Sequence, residues 1–399
     1  MARKTNKTAL AVVMQSAQGT FDTPSSTDDI LAISNLQFNI QGVTATNNEY
    51  TGSIHKNGDD LAGKVITGSF NVYMRPPGGA DVPAADAYIP GRFLKAAKFS
   101  EVRTTAAIPV AAEALGVGSD ETNAVLGTTA STSDDVYKGM ALLLSDIAAT
   151  AYDKITAIRG YTGSSKTAEL CEELAAAPAA NYQIPKQLSY QRDVSETDAP
   201  FLSMSLWIDG LRYDLVDTSI SGLRFNVPVS TRDSASQPMF EVSFTATIDD
   251  YADQATPSIP ALGAVPLFKD GKFFVSKYPV GGSSVTVDFG LRSAYPPNPN
   301  YTDGSGPGEL VESRTTVSMD RQAYLKAQFD TLALAEAQAQ HPVFAQWGYA
   351  SGAMVQLVIP DARFNYQSPQ LGQDYVTEQG DMWVDVFSRN VNVNFPYFA

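Results

Sequence analysis

Two residue types that carry much of protein chemistry are almost missing. Among 399 residues there are one cysteine and two histidines. The lone Cys171 cannot close an internal disulfide, so no disulfide framework is expected. It reads as a small residue in a half-buried strand, because a cysteine nucleophile would want a histidine partner. His55 stands in a polar stretch, and His341 precedes Pro342 at an expected helix end. A zinc site needs at least three converging nitrogen or sulfur ligands, and Cys171, His55 and His341 come from three unrelated contexts. Metal- or histidine-based catalysis is not expected, and no cofactor is implied.

Cations are short as well. There are 28 Lys and Arg against 43 Asp and Glu, a net charge of −15. Wrapping nucleic acid by neutralising its phosphates needs clustered Lys and Arg, so that class is excluded. Charged residues make up only 18% of the chain, which leaves the surface to Ser, Thr, Asn, Gln and Gly. No apolar run approaches the roughly 18–20 residues of a membrane span. Arg3, Lys4 and Lys7 precede a short apolar stretch at 9–14 and then Ser16-Ala17-Gln18. That stretch falls below the usual minimum of about seven residues for a signal-peptide core, so it reads as a basic arm leading into a first strand.

Catalytic signatures are absent too. There is no G-x-S-x-G elbow and no phosphate-binding loop, and the glycines 304, 306 and 308 lack the strand-to-helix context of a dinucleotide turn. The pairs Asp28-Asp29, Asp59-Asp60, Asp134-Asp135 and Asp249-Asp250 lack the alternating ligand spacing of a calcium loop. They read as solvated turn carboxylates. Trp207, Trp347 and Trp383 are explained as well by sheet packing as by a ligand platform.

What is present is enough apolar material, 44% of residues, for a large core. The length predicts two or three domains. Most segments alternate with period two, the mark of half-buried strands. Leu36, Phe38 and Ile40 alternate with polar neighbours, as do Ile66, Phe70, Val72 and Met74. The same holds for Met204, Leu206 and Ile208; for Val242, Phe244, Ala246 and Ile248; and for Val285, Val287 and Phe289. Met382, Val384 and Val386, then Val391, Val393 and Phe395, close the series. The outward sets are polar and uncharged, so the pattern predicts antiparallel strands with one wet face. Their edges are not obviously guarded by Lys or Pro, which favours sheet extension between subunits.

Helical signal is sparse. One helix is expected from Arg321 to about Ala339, capped by Asp320, stopped by Pro342 and burying Leu325, Phe329 and Leu332. A shorter one is expected over 84–99, interrupted by Pro90 and Gly91. Residues 253–265 are rich in Pro, Ala and Gly and read as a linker. Residues 108–185 read as an inserted unit, with a hairpin turn at Gly163-Ser164-Ser165. After that turn a strand is preferred, with a helix over 168–177 as the alternative.

With the insertion set aside, the halves echo each other. Strands starting at Ser34 and Val65 are 31 positions apart, and those starting at Ser284 and Leu310 are 26 apart. A helix is expected after each pair. GLRYDLVDTSISGLRFNVP from Gly210 and GAMVQLVIPDARFNYQSP from Gly352 each precede a further strand, starting 29 and 30 positions on. The pattern predicts an internal duplication.

The opening MQSAQGTFDTPSSTDDILAISNLQF resembles the entry of tail tube (major tail) proteins of long-tailed bacteriophages. SSVTVDFGLRSAYPPNPNYTDGSGPGELVESRTTVSMD and VIPDARFNY in the second half are similar to that family too, and the inserted unit with YKGM and ITAIRGYTGSSKTAEL looks like a small β module found inserted in such proteins. The resemblance implies a mainly β fold: two tandem tail-tube-like β-sandwich domains, each with a flanking helix, plus a small inserted β module. The expected ranges are 1–107 with 186–252 for the first domain, 108–185 for an outer module, 253–265 for the linker and 266–399 for the second domain. It implies a structural subunit, not an enzyme, whose partner is itself. A trimeric ring of pseudo-sixfold symmetry would stack into a hollow tube in the virion tail, assembled in the host cytoplasm and bound to other tail proteins. DNA would pass through the lumen without specific binding, past a wall on which carboxylates predominate.

The long loop at about 44–64 resembles the family's arm toward the next ring, with a counterpart at about 293–309. The resemblance therefore marks Arg3, Lys4, Asn47, Asn48, Glu49, Tyr50, Asn57, Asp59, Asp60, Asn298, Tyr301 and Asp303 as candidate inter-ring contacts. Three other readings compete: an exported β-rich surface protein, another virion structural protein, and a glycoside hydrolase using two facing carboxylates.

Overall fold

Period-two alternation turns 51% of the chain into strand and leaves 4% as helix, so the architecture is mainly β. The computed structural model describes residues 4, 6–49, 58–145, 154–195, 197–301, 304–371, 375–385 and 389–398. The first half contains β1 (Thr8–Met14), β2 (Ile30–Leu31), β3 (Ser34–Ala45), β4 (Asp60–Tyr73), α1 (Ile89–Ala96) and β5 (Phe99–Thr104). Next come β6 (Ile108–Ala114), β7 (Asn123–Val125), β8 (Ala141–Leu144), β9 (Ile155–Thr162), β10 (Thr167–Leu170) and β11 (Asn181–Ile184). The chain then returns through β12 (Lys186–Arg192), β13 (Leu202–Ile208), β14 (Leu211–Pro228) and β15 (Met239–Asp253).

The second half opens with β16 (Lys272–Val275), β17 (Tyr278–Pro279), β18 (Gly282–Asp288) and β19 (Arg292–Ala294). It continues with β20 (Glu309–Glu312), β21 (Thr316–Gln322), α2 (Thr331–Ala337) and β22 (Gln340–Trp347). β23 (Val355–Phe364), β24 (Ser368–Leu371), β25 (Val376–Val384) and β26 (Asn392–Tyr397) end it.

One strand order occurs twice. In the first half the hydrogen-bonded neighbours run β2-β1-β13-β14-β15-β4-β3. In the second they run β17-β16-β22-β23-β25-β21-β18. Every pairing in both series is antiparallel, and α1 and α2 fall at the same place in the chain order. The halves are also joined. The last residues of β14 pair with β18, Arg224 opposite Asp288 and Pro228 opposite Ser284. β12 pairs with β26 on its other side from β5. One apolar core accordingly runs from Leu10 to Phe395 through both halves.

At the β14–β18 junction that core is aromatic. Phe225, fully buried, meets Phe289 at 4.8 Å, Phe240 at 5.0 Å and Phe99 at 6.2 Å between ring centroids. The Phe225–Phe289 and Phe225–Phe240 pairs are edge-on, an arrangement that adds to the burial term. α1 lies close over the first half because Gly91 permits it: a Cβ there would stand 1.9 Å from the hydroxyl of buried Tyr190. Arg92 ties the same helix to β1 by donating to the Val12 carbonyl and to Asp29, the latter at 2.7 Å.

Strands β6 to β11 form a separate six-stranded sheet in the order β6-β11-β8-β9-β10-β7, with its own core around Leu142, Ile158, Leu170 and Tyr182. Its β9–β10 hairpin pairs Thr162 with Thr167 across the Gly163 turn, so β10 is a strand and not the alternative helix. This sheet sits on polar side chains of the main sheet. Gln187 accepts from the Ala141 N–H at 3.1 Å, Asn394 donates to the Gly139 carbonyl at 2.7 Å, and Gln356 donates to the Thr156 carbonyl at 3.3 Å. Ion pairs close the seam: Lys138–Asp361 at 2.6 Å, Lys272–Glu172 at 2.8 Å and Lys277–Glu169 at 2.7 Å.

Four expectations are corrected. No helix starts at Arg321. Val317, Met319 and Arg321 are all buried at period two, so β21 continues through Asp320 and Gln322, and α2 begins ten residues later. Asp330, not Asp320, caps it, accepting from the Ala333 N–H at 3.0 Å; Leu325 and Leu332 are exposed, and only Phe329 of the expected stripe is buried. His341 and Pro342 lie within β22, not at a helix end. The strand expected from Leu310 is two short strands, β20 and β21. Finally, β12, β13 and β26 are buried on both faces, so their polar sets meet other parts of the same chain and not solvent. In the last series Val386 lies outside the described residues.

Candidate assembly surfaces

The candidate loop contacts of the first half lie at the tip of the long β3–β4 pair. β3 and β4 extend past the point where β15 leaves β4, at the pair Ala246–Ile66. Their pairing continues to Ala45–Asp60, so the arm is shorter as a loop, and longer as a hairpin, than the sequence predicts. Asp60 belongs to β4. Asn47 donates its backbone N–H to Asp59 at 3.1 Å, and its own side chain accepts from the Glu49 N–H at 2.9 Å. Asn48 and Glu49 are exposed. Lys4 reaches the β13–β14 turn, where its N–H donates to Asp209 at 2.6 Å, and Lys7 pairs with the same carboxylate at 3.6 Å. These hydrogen bonds and charges hold the Asp209 carboxyl below its ordinary range.

The second loop folds back on the first half. Tyr301 accepts from Gln18 at 2.8 Å, and the Tyr295 hydroxyl lies 3.2 Å from that of Ser219. Asn298 shapes the loop, its N–H donating to the Gly304 carbonyl at 2.9 Å and its side chain accepting from Asn300 at 3.1 Å. Among the described residues, no hydrogen bond or ion pair joins this loop to the β3–β4 arm. Arg3, Tyr50, Asn57 and Asp303 lie outside the described residues, as does His55.

The alternation in β3 hid a further feature. Ile40 is 47% exposed and Val43 46%, while Leu61 on β4 reaches 74%. A second apolar set, Leu371 at 88% and Tyr375 at 74%, surrounds β24 and the start of β25. Pro369 leaves an outer ladder on β24 one N–H short without closing the edge.

Between these ends runs one continuous sheet, β3-β4-β15-β14-β18-β21-β25-β24, four strands from each half. Its outer face is largely polar, with the pairs Gln37–Ser69, Asn39–Thr67 and Thr286–Ser318, and Asn71 opposite Glu241. It also carries the carboxylates Glu241, Asp288, Asp320 and Asp381. Arg224 stands among them, paired with Asp288 at 2.9 Å and Glu241 at 3.8 Å.

The chemistry-bearing residues are dispersed. Cys171 is buried against Ala157, Phe344 and Val358, and burial pushes its thiol far up. His341 has Nδ1 2.8 Å from the Ser276 hydroxyl, and burial, then the nearby Arg159, holds its pKa below the ordinary value. Among the described residues, no group of three or more His, Cys, Asp or Glu is placed to hold a metal ion. A groove of about 380 Å³ at the join of the halves is lined by Arg192, Ser313, Arg314 and Asp385. Arg192 crosses it to donate to the Ser313 hydroxyl at 2.6 Å, which makes it a structural tie. No protein-family model matches the sequence, and no curated protein resembles it significantly.

Proposed function

We propose that the chain is a structural subunit of a bacteriophage tail tube, with two tandem tube-like β-sandwich domains, each flanked by a helix, and an inserted outer module. The observation that carries the reading is the repeated strand order together with the eight-stranded sheet that runs unbroken from one repeat into the next. A unit already continued once within the chain is built for continuation by further copies.

Three copies would supply about two dozen strands. At roughly 4.8 Å between strands that is a circumference of about 115 Å, or about 37 Å across before strand tilt widens it. The polar face of the eight-stranded sheet is the wall of the lumen in this reading. Glu241, Asp288, Asp320 and Asp381 give it negative potential, so a duplex slides past without being trapped. The β3–β4 arm, with Asn47, Asn48, Glu49, Asp59 and Asp60, and the loop holding Asn298 and Tyr301 contact the neighbouring ring. Exposed Ile40, Val43 and Leu61 supply apolar area that a neighbour covers.

Sedimentation velocity of the purified chain tests the reading. Species of many copies are expected, and deletion of residues 46–59 should leave single rings while abolishing stacks. Deletion that leaves stacking unchanged would remove the arm from the account.

A further inference from the structure

Equivalent strands in the two halves differ sharply in burial, and the differences occur at the two ends of the eight-stranded sheet. In β18, Val285 and Val287 are fully buried, as is Phe289 just beyond it, because β14 of the first half lies alongside. In β3, which holds the same place in the first repeat, Leu36 and Phe38 are only half-buried and Ile40 is 47% exposed. Among the described residues, β3 pairs with β4 alone.

The other end shows the matching deficit. The last part of β14, with Phe225 and Val227 fully buried, pairs with β15 on one edge and β18 on the other. β24 holds that place in the second repeat, pairs with β25 alone among the described residues, and is exposed at all four positions.

We infer that the open edge of β3 pairs with the open edge of β24 of a second copy of this chain, repeating between copies the β14–β18 junction found within one. This rests on the tube reading and specifies its ring contact. Counting along the two ladders, Ser69–Gln37 corresponds to Ser318–Thr286, and Glu241–Arg224 to Gln379–Ser368. Asn226–Thr286 and Arg224–Asp288 therefore predict Gln370 opposite Gln37 and Ser368 opposite Asn39 of the next copy. Leu371 then takes the place of Val227 and covers Leu36, while Pro369 costs the ladder one N–H. Each copy offers one β3 edge and one β24 edge, so the contact is head-to-tail, the type that gives a ring where the rotation between copies closes, as the tube reading requires.

Paired cysteines test this in the full chain, since buried Cys171 is out of reach of an exchanging thiol. The double variant Gln37→Cys with Gln370→Cys should form a ladder of covalent multimers under mild oxidation. Each single variant should not, and a mixture of the two singles should give dimers. Leu371→Asp should abolish the ring in native mass spectrometry with an unchanged thermal transition. Rings that form without cross-linking, or that survive Leu371→Asp, overturn the edge pairing and leave the tube reading standing. A chain that stays monomeric at high concentration overturns both.

Discussion

Phe225 is the side chain on which most of the join between the halves converges. Its ring fills space between β14, β18 and α1-proximal Phe99, and it is fully buried. Truncating such a ring leaves a cavity as well as lost burial, so Phe225→Ala should cost about 3–5 kcal/mol in denaturant unfolding. Because one core spans both halves, unfolding should remain a single transition; two separated transitions would mean that the halves are independent. Glu113 is a second informative residue. It accepts from Thr128 at 2.9 Å, from Thr129 and from Tyr182 at 3.0 Å. The Thr129 hydroxyl bond chiefly, opposed by desolvation and helped by Thr128 and Tyr182, lowers its pKa from 4.5 to about 2. A carboxyl depressed in the folded state stabilises above its unfolded value and loses that contribution as pH falls. The melting-temperature gap between wild type and Glu113→Gln should therefore be full at neutral pH and shrink between pH 4.5 and about 2. A gap that is constant with pH would show that the charge of Glu113 is immaterial.

Among the elements, the inserted sheet is set apart by having its own core yet meeting the main sheet through polar groups. Asp361 on β23 is central to that seam, 2.6 Å from Lys138 and 3.5 Å from Arg159. Its side chain is 12% exposed, so removing it leaves Lys138 without its carboxylate in a poorly solvated place, while Arg159 keeps Glu169 at 2.8 Å. Asp361→Ala should destabilise by about 3 kcal/mol, and hydrogen exchange should rise first in β8 and β9. Uniform exchange across the molecule would argue against a separable seam. The strands were legible from Leu36, Phe70, Val242 and Val285 because each has one wet and one dry face. Residues 321–339 were not. Their Ala, Leu, Glu and Gln content favours helix, but pairing of β21 with β18 and β25 overrides propensity through Gln322. Likewise Asn392 and Asn394 looked solvent-facing, and only the position of the inserted sheet reveals that they are buried.

For the whole molecule, the duplication could be suspected from the spacings after Gly210 and Gly352, but the junction of β14 with β18 could not, since long-range pairing leaves no local pattern. Of the candidate contacts, Asn47 to Asp60 were proposed from the family resemblance of their loop, and the structure adds that the loop is the tip of the β3–β4 hairpin. The open edges of β3 and β24 were missed because a missing pairing partner leaves no local pattern in the sequence. The central claim is that this chain closes into rings that stack as a hollow tube. Negative-stain electron microscopy of the purified full-length chain tests it most directly. Stacked rings with an open centre are predicted; dispersed particles of single-chain size at high concentration would contradict it.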